Sequence, residues 1–266
     1  MCNKASFRAL FFCLLFACPL FAQINQLPNE LVSVGVEEHI GTMLDFEVPF
    51  TNQENHSVKL GDYFKNDKPV ILALMYYNCP RLCHLVADGM ESALKMSPLK
   101  SGLDYNVLSI SIDPNDSLES ARNFQQKYTG TIQPWDFLIG NKASIDSVSD
   151  ALGFNYTYNV KTGEYAHSAV VFVITPEGKI ARYLYGISFD ALDVKLSLIE
   201  AKKENLQNTI ERVLLFCYNY DPDTRGYVLQ AWRLMRVGGA ITLLLLIVFV
   251  IVLIRKNKYL KDSEHD

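Results

Sequence analysis

The chain has 266 residues, with 25 Lys and Arg against 29 Asp and Glu and a formal net charge of −4. That balance, with no basic patch outside the C-terminal tail, argues against nucleic acid as a partner. About 210 residues remain once two apolar ends are set aside, enough for one domain with a real core.

Lys4 and Arg8 precede the apolar run Ala9 to Phe21 and the small residue Ala22, the layout of a secretory signal peptide over residues 1–22. Leu15-Phe16-Ala17-Cys18 is a competing lipoprotein signal with Cys18 acylated, which bulky Phe16 and Pro19 fit poorly. Residues 23–44 form an N-terminal segment ahead of the folded domain.

Pro69 to Tyr77 is a continuous apolar run of the kind buried on both faces of a parallel sheet. It leads into Cys79-Pro80-Arg81-Leu82-Cys83-His84, and helical spacing follows at Leu82, Leu85, Val86, Gly89, Ala93 and Met96. Residues four apart on a helix share one face, with Cβ atoms about 5 to 6 Å apart, so Cys79 and Cys83 can share a soft metal or close a disulfide. A static staple is the duller reading, since so small a loop constrains the unfolded chain little. Pro80 is read as starting the helix, whose N-terminus lowers a nearby thiol pKa.

Tyr105 to Ile112 predicts a second strand, Asp113 to Ser117 a turn and cap, and Leu118 to Tyr128 a returning helix. Strands at Phe154 to Asn159, Ala169 to Ile174 and Ala181 to Tyr185 alternate with the turn signals Lys161-Thr162-Gly163 and Thr175-Pro176-Glu177-Gly178. A helix over about Asp190 to Glu204 closes the domain, and residues 204–236 form an extension beyond it. This order, a parallel βαβ unit and then an antiparallel hairpin and a helix, predicts an α/β, thioredoxin-like sandwich with an extra β-hairpin over residues 45–203. Its cysteines are spaced C-x-x-x-C rather than the usual C-x-x-C.

Val237 to Ile254 is an eighteen-residue run of apolar residues, two glycines and one threonine, followed by Arg255-Lys256-Asn257-Lys258. It predicts one transmembrane helix, a cytoplasmic tail over 255–266, and a soluble domain facing the periplasm or exterior. Cys2, Cys13 and Cys18 leave with the signal peptide, so Cys79, Cys83 and Cys217 remain in an oxidising compartment. Three cysteines make no disulfide scaffold, and the close pair is read as working chemistry. Cys217 is read as a buried structural thiol and Met90 and Met96 as core. His39, His56 and His265 are expected to be solvated, and no nucleotide, phosphate or acidic-substrate motif is visible.

Tyr77-Asn78-Cys79-Pro80-x-x-Cys83, Ser111-Ile112-Asp113-Pro114 ahead of a helix, and Tyr165-Ala166-His167-Ser168 leading into a strand resemble the Sco/SenC family of copper-delivery proteins of cytochrome c oxidase assembly. The segment Leu215 to Pro222 with the following span is similar to a branch of that family anchored at its C-terminus. The resemblance implies a copper site of Cys79, Cys83 and His167, holding one ion per chain. Soft thiolates and one imidazole suit Cu(I), and Cu(II) with weaker added ligands, while structural zinc would want a fourth ligand. Asp113 is a candidate for orienting a ligand or contacting the partner near the site, or an ordinary turn former. His84, one step along the helix from Cys83, points about 100° away and is read as standing behind the ligands or facing solvent. The implied function is a metallochaperone serving the copper-accepting oxidase subunit, with a thiol-disulfide reductase or another copper chaperone as further partners. The rival is an enzyme, a thiol-disulfide oxidoreductase that reduces that subunit's cysteines and needs no His167. A sensor and a peroxidase are weaker readings.

Overall fold

The computed structural model describes residues 34–128, 132–202, 215, 218–221, 224–229 and 231–262. The signal peptide, Cys18, Cys217 and His265 lie outside them, as do residues 23–33 of segment 23–44.

Three parallel strands form the middle of the sheet: β4 (Val70–Met75), β5 (Asn106–Ser111) and β6 (Trp135–Ile139). All six residues of β4 are buried, as expected for an apolar run with neighbours on both sides. On one side β4 pairs antiparallel with β10 (Val170–Ile174), which pairs with β11 (Ile180–Tyr185). On the other, β6 pairs with β2 (Pro49–Asn52) and β2 with β3 (Ser57–Lys59), giving seven strands in the order β11-β10-β4-β5-β6-β2-β3. β1 (Gly35–Val36) pairs separately with β7 (Phe154–Asn155).

The expected helices α1 (Leu82–Met96), α2 (Leu118–Gln126) and α4 (Ala191–Ala201) are present. Two further elements, β6 and α3 (Lys142–Ala151), occupy the stretch between Tyr128 and Phe154 that offered no clear pattern. α3 starts on an Asn141 side chain that accepts from the Ser144 amide at 2.9 Å. The expected strand over Phe154 to Asn159 is two strands, β7 and β8 (Thr157–Asn159), of which β8 makes the extra hairpin with β9 (Glu164–Ala166). Gly163 in its turn has φ +71, a conformation that side chains disfavour.

The buried face of α1 is Cys83, Val86, Ala87, Met90, Ala93 and Leu94. Leu85 is 40% and Met96 78% exposed, so Met96 is not core: the stripe is centred on Cys83 and leaves both on its outer side. Gly89 serves close approach. A Cβ built there would lie 2.2 Å from the Ile187 carbonyl oxygen in the loop between β11 and α4.

The extension holds a second hairpin, β12 (Tyr218–Asp221) with β13 (Gly226–Leu229), which packs on α4. The Tyr227 amide donates to Asp193 Oδ1 at 2.9 Å and its hydroxyl donates to Glu200. Arg182 pairs with Glu200 at 2.6 Å and lies 4.8 Å from the centre of the Tyr220 ring. α5 (Ala231–Asp262) begins directly after. Its window Met235–Leu253, 19 residues, is long and apolar enough to cross a membrane, and none of it is buried against the domain. The helix runs on through the first residues of the expected tail.

Candidate metal and thiol site

Where β4 ends, Tyr76, Tyr77 and Cys79 stay buried while Asn78 and Pro80 face outward. The Cys79 amide donates to the Tyr76 carbonyl at 3.2 Å, which turns the chain toward α1. The N-cap of α1, Arg81, makes no side-chain cap bond. Cys79 does that work instead, because its Sγ accepts the Cys83 amide at 3.3 Å. Pro80 thus lies ahead of the N-cap, not in the first helical turn. Cys79 likewise lies ahead of the helix, not on it as the spacing suggests, and is linked to Cys83 by this amide–sulfur bond across the turn.

The third expected ligand comes from far along the chain. β9 and β10 carry His167 between them, and its Nε2 lies 3.4 Å from Cys83 Sγ. Its Nδ1 lies 3.0 Å from the Ser168 carbonyl, so in the neutral ring Nδ1–H donates there and Nε2 turns its lone pair to the sulfurs. Tyr76 stands edge-on to the imidazole, centroids 6.1 Å apart, and Phe154 lies 5.9 Å away. The three residues line or adjoin one cleft of about 550 Å³, whose walls include Tyr76, Cys79, Arg81, Leu85, Tyr165 and His167. Among the described residues, no group of three or more His, Cys, Asp or Glu is closed into metal-holding geometry. Cys79, Cys83 and His167 are therefore converging donors, and a bound ion would have to draw them tighter.

The sulfurs are electrostatically unequal. The Cys83 thiol, then the amides of Cys83 and Arg81, hydrogen-bond Cys79 and hold its pKa far below that of an ordinary thiol, against the effect of burial. Burial first, and then the Cys79 thiolate, push Cys83 well up. Burial also raises the Tyr76 phenol, which hydrogen-bonds Cys79 as a neutral group. The pair therefore shares one proton, carried by Cys83. A depressed thiol pKa keeps the thiolate as pH falls until the lowered value is crossed. Alkylation of Cys79 by iodoacetamide, followed by mass spectrometry, is expected to stay nearly constant from about pH 8 to about pH 5, whereas an ordinary thiol of pKa about 8.5 slows tenfold per unit. A tenfold-per-unit decline would refute the assignment.

A family model described as SCO1/SenC matches residues 41–192, more than half of the chain and all three donors. The chain belongs to the SCO1/SenC family. Comparison with curated proteins gives no match. Among solved structures, the SCO1/SenC family lipoprotein from Bacillus anthracis str. Ames is 24% identical, with TM-score 0.52, over 63% of this chain and 98% of its own. Arabidopsis thaliana ScoI with copper bound is 19% identical, with TM-score 0.50, over 62% and 99%. BsSco, a member of the Sco family of cytochrome c oxidase assembly proteins in which a disulfide switch was identified, is 21% identical, with TM-score 0.50, over 62% and 98%. At these identities the likeness is one of fold, the thioredoxin-like α/β fold.

In this SCO1/SenC domain Asp113 touches none of the three donors. It accepts from the Tyr165 hydroxyl at 3.2 Å and from the Asn115 amide at 2.9 Å. Since Tyr165 packs on Tyr76 with centroids 5.4 Å apart, Asp113 reaches the site through two aromatic rings while keeping its turn-forming bond. His84 faces away from the sulfurs, stacked on Phe124 at 4.6 Å, with Tyr128 and Lys127 on its nitrogens. Burial and the Lys127 charge lower its pKa, and its contacts make it a packed ring rather than a freely solvated one. His39 is likewise tied down, to the Ala151 carbonyl, and His56 is exposed. Tyr76 and the buried Asp116 carry no local signal that sets them apart from other strand or turn residues, and only their position reveals them; Tyr165 opens the motif that carries His167.

Proposed function

We propose that this protein is a membrane-anchored copper metallochaperone that delivers copper to the binuclear copper site of cytochrome c oxidase during assembly. The observation that carries the reading is the approach of His167 Nε2, from a distant hairpin, to the buried sulfur of Cys83 beside the Cys79 thiolate. The imidazole adds a third donor to the two sulfurs, one that disulfide exchange by the cysteine pair does not require. Two soft sulfurs and one nitrogen on a cleft wall suit Cu(I), and the open side admits the acceptor's ligands for exchange. Copper here is cargo, held by Cys79, Cys83 and His167 and released as an incoming donor replaces each in turn. The copper-bound relative and the oxidase-assembly relative support the same reading.

α5 would anchor the domain through one span, with the basic end inside and the copper domain facing the periplasm or exterior. A disulfide between Cys79 and Cys83 would be the unloaded state, so a thiol-disulfide reductase, or a chaperone that brings copper, is the further partner. The alternative, an oxidoreductase acting on the acceptor's cysteines, is favoured by one observation: Cys79 is a stabilised thiolate at a helix start, as an attacking thiol should be.

Anaerobic copper loading of the reduced, detergent-solubilised chain decides between them. We expect one Cu(I) per chain, weakened about 10- to 100-fold or more in His167→Ala. Affinity indifferent to His167, with rapid thiol exchange on a disulfide substrate, would overturn the metallochaperone in favour of the oxidoreductase.

A further inference from the structure

A buried carboxylate stands behind the cysteine loop, and neither reading of the site uses it. Asp116 is 6% exposed. Its Oδ2 accepts the Tyr77 amide at 2.7 Å and the Ser111 hydroxyl at 2.6 Å; its Oδ1 accepts the Asn78 side-chain amide at 2.6 Å and the Ser120 hydroxyl at 3.1 Å. Tyr77 and Asn78 are the two residues directly before Cys79, Ser111 ends β5, and Ser120 sits in the first turn of α2. Two oxygens with two donors each fix four groups at once, and all four partners are neutral, so the negative charge stays uncompensated by contact.

We propose that Asp116 is the positioning residue of the sulfur site, tying the loop before Cys79 to β5 and α2 so that Cys79 is held at the spacing that Cys83 and His167 require. The inference rests on the dithiol of the proposed function and not on its copper. A loosened loop lowers the chance that the two sulfurs meet. That moves the pair toward the dithiol.

The test is the thiol–disulfide equilibrium of the full chain in detergent, poised against oxidised and reduced dithiothreitol. There Cys79 and Cys83 form one S–S bond and give up two electrons and the one proton on Cys83, which with one proton from solvent reduce the dithiothreitol disulfide to its dithiol. Asp116→Asn, which keeps the size but removes the charge and two acceptor sites, is expected to shift this equilibrium about tenfold toward the protein dithiol, about 30 mV. Asn78→Ala, at an exposed position, removes one tether and leaves the charge; it is expected to shift the equilibrium the same way, about threefold. A merely structural carboxylate would lower the melting temperature and leave the equilibrium alone. Either a value for Asn78→Ala indistinguishable from wild type, or one for Asp116→Asn within twofold of it, overturns the proposal. If Asp116→Asn does not fold, Asn78→Ala decides alone. Because the readout needs no metal, a wild-type chain that fails to hold copper would remove the proposed function without touching this result.

Discussion

Cys83→Ser is expected to abolish tight Cu(I) retention, weakening it by more than about a hundredfold, since losing an outer-shell partner already costs 10- to 100-fold. The serine would replace a soft, ionisable sulfur with a hard hydroxyl that does not deprotonate, so one donor is lost outright. It would also remove the thiol that stabilises Cys79, whose pKa should climb toward the ordinary thiol range. Two readouts should therefore move together in the one variant: copper stoichiometry near zero by equilibrium competition, and a Cys79 alkylation rate that falls as pH is lowered below about 8. The fold should survive, because Cys83 has no exposed surface and a buried hydroxyl finds an acceptor within reach at His167. Copper retained at wild-type affinity would place the metal elsewhere and end the Cys79–Cys83–His167 assignment.

Gly89→Ala is expected to destabilise the domain by about 1 to 3 kcal/mol, the usual cost of overpacking, a fall of several degrees in melting temperature for a domain of this size. In a solvent-exposed helix the same change would stabilise by roughly 0.5 to 1 kcal/mol. Here the sign reverses, because the new methyl would meet the Ile187 carbonyl oxygen, a backbone atom that no rotamer change can move aside. α1 must then tilt away from the loop joining β11 to α4. Cys83 rides on the same helix, so His167 Nε2 and Cys83 Sγ should separate and copper affinity should fall with stability. Thermal melting and copper competition on the same preparation check both parts. A melting temperature equal to or above wild type would show that α1 does not approach the loop so closely.

The elements read correctly from the chain are those whose local pattern is also their tertiary role. β4 is six consecutive buried residues, so its burial on both faces is written in composition, and α1, β5 and α4 follow from apolar spacing between turn formers. β6 and α3 were missed for the converse reason. β6 is five residues with Asp136 inside, tolerable because Gln53 donates to its carboxylate at 3.1 Å, and α3 is half serine and aspartate. β2 and β3 are likewise short and polar, and they are strands only because β6 gives them an edge. The outer position of Met96 was lost because helical spacing identifies neighbours on a cylinder and not which stripe meets the sheet.

By itself the sequence determined the sulfur chemistry. Two cysteines four apart after a buried strand are kept close at a helix start, even though only Cys83 lies on the helix, and an eighteen-residue apolar run with a basic flank has the length a bilayer requires. The tertiary structure decided the rest. Residues 84 positions apart in the chain, Cys83 and His167, are brought to contact distance only by the β9 to β10 crossing, and spacing contains no trace of that; the motif match alone had named His167. Asp116 in sequence is one of several turn formers, and becomes a tether only where β5, α2 and the cysteine loop close around it and exclude water. Local pattern records what a residue does to its neighbours along the chain; burial and long-range hydrogen bonding depend on which surfaces meet, and that is settled by the fold.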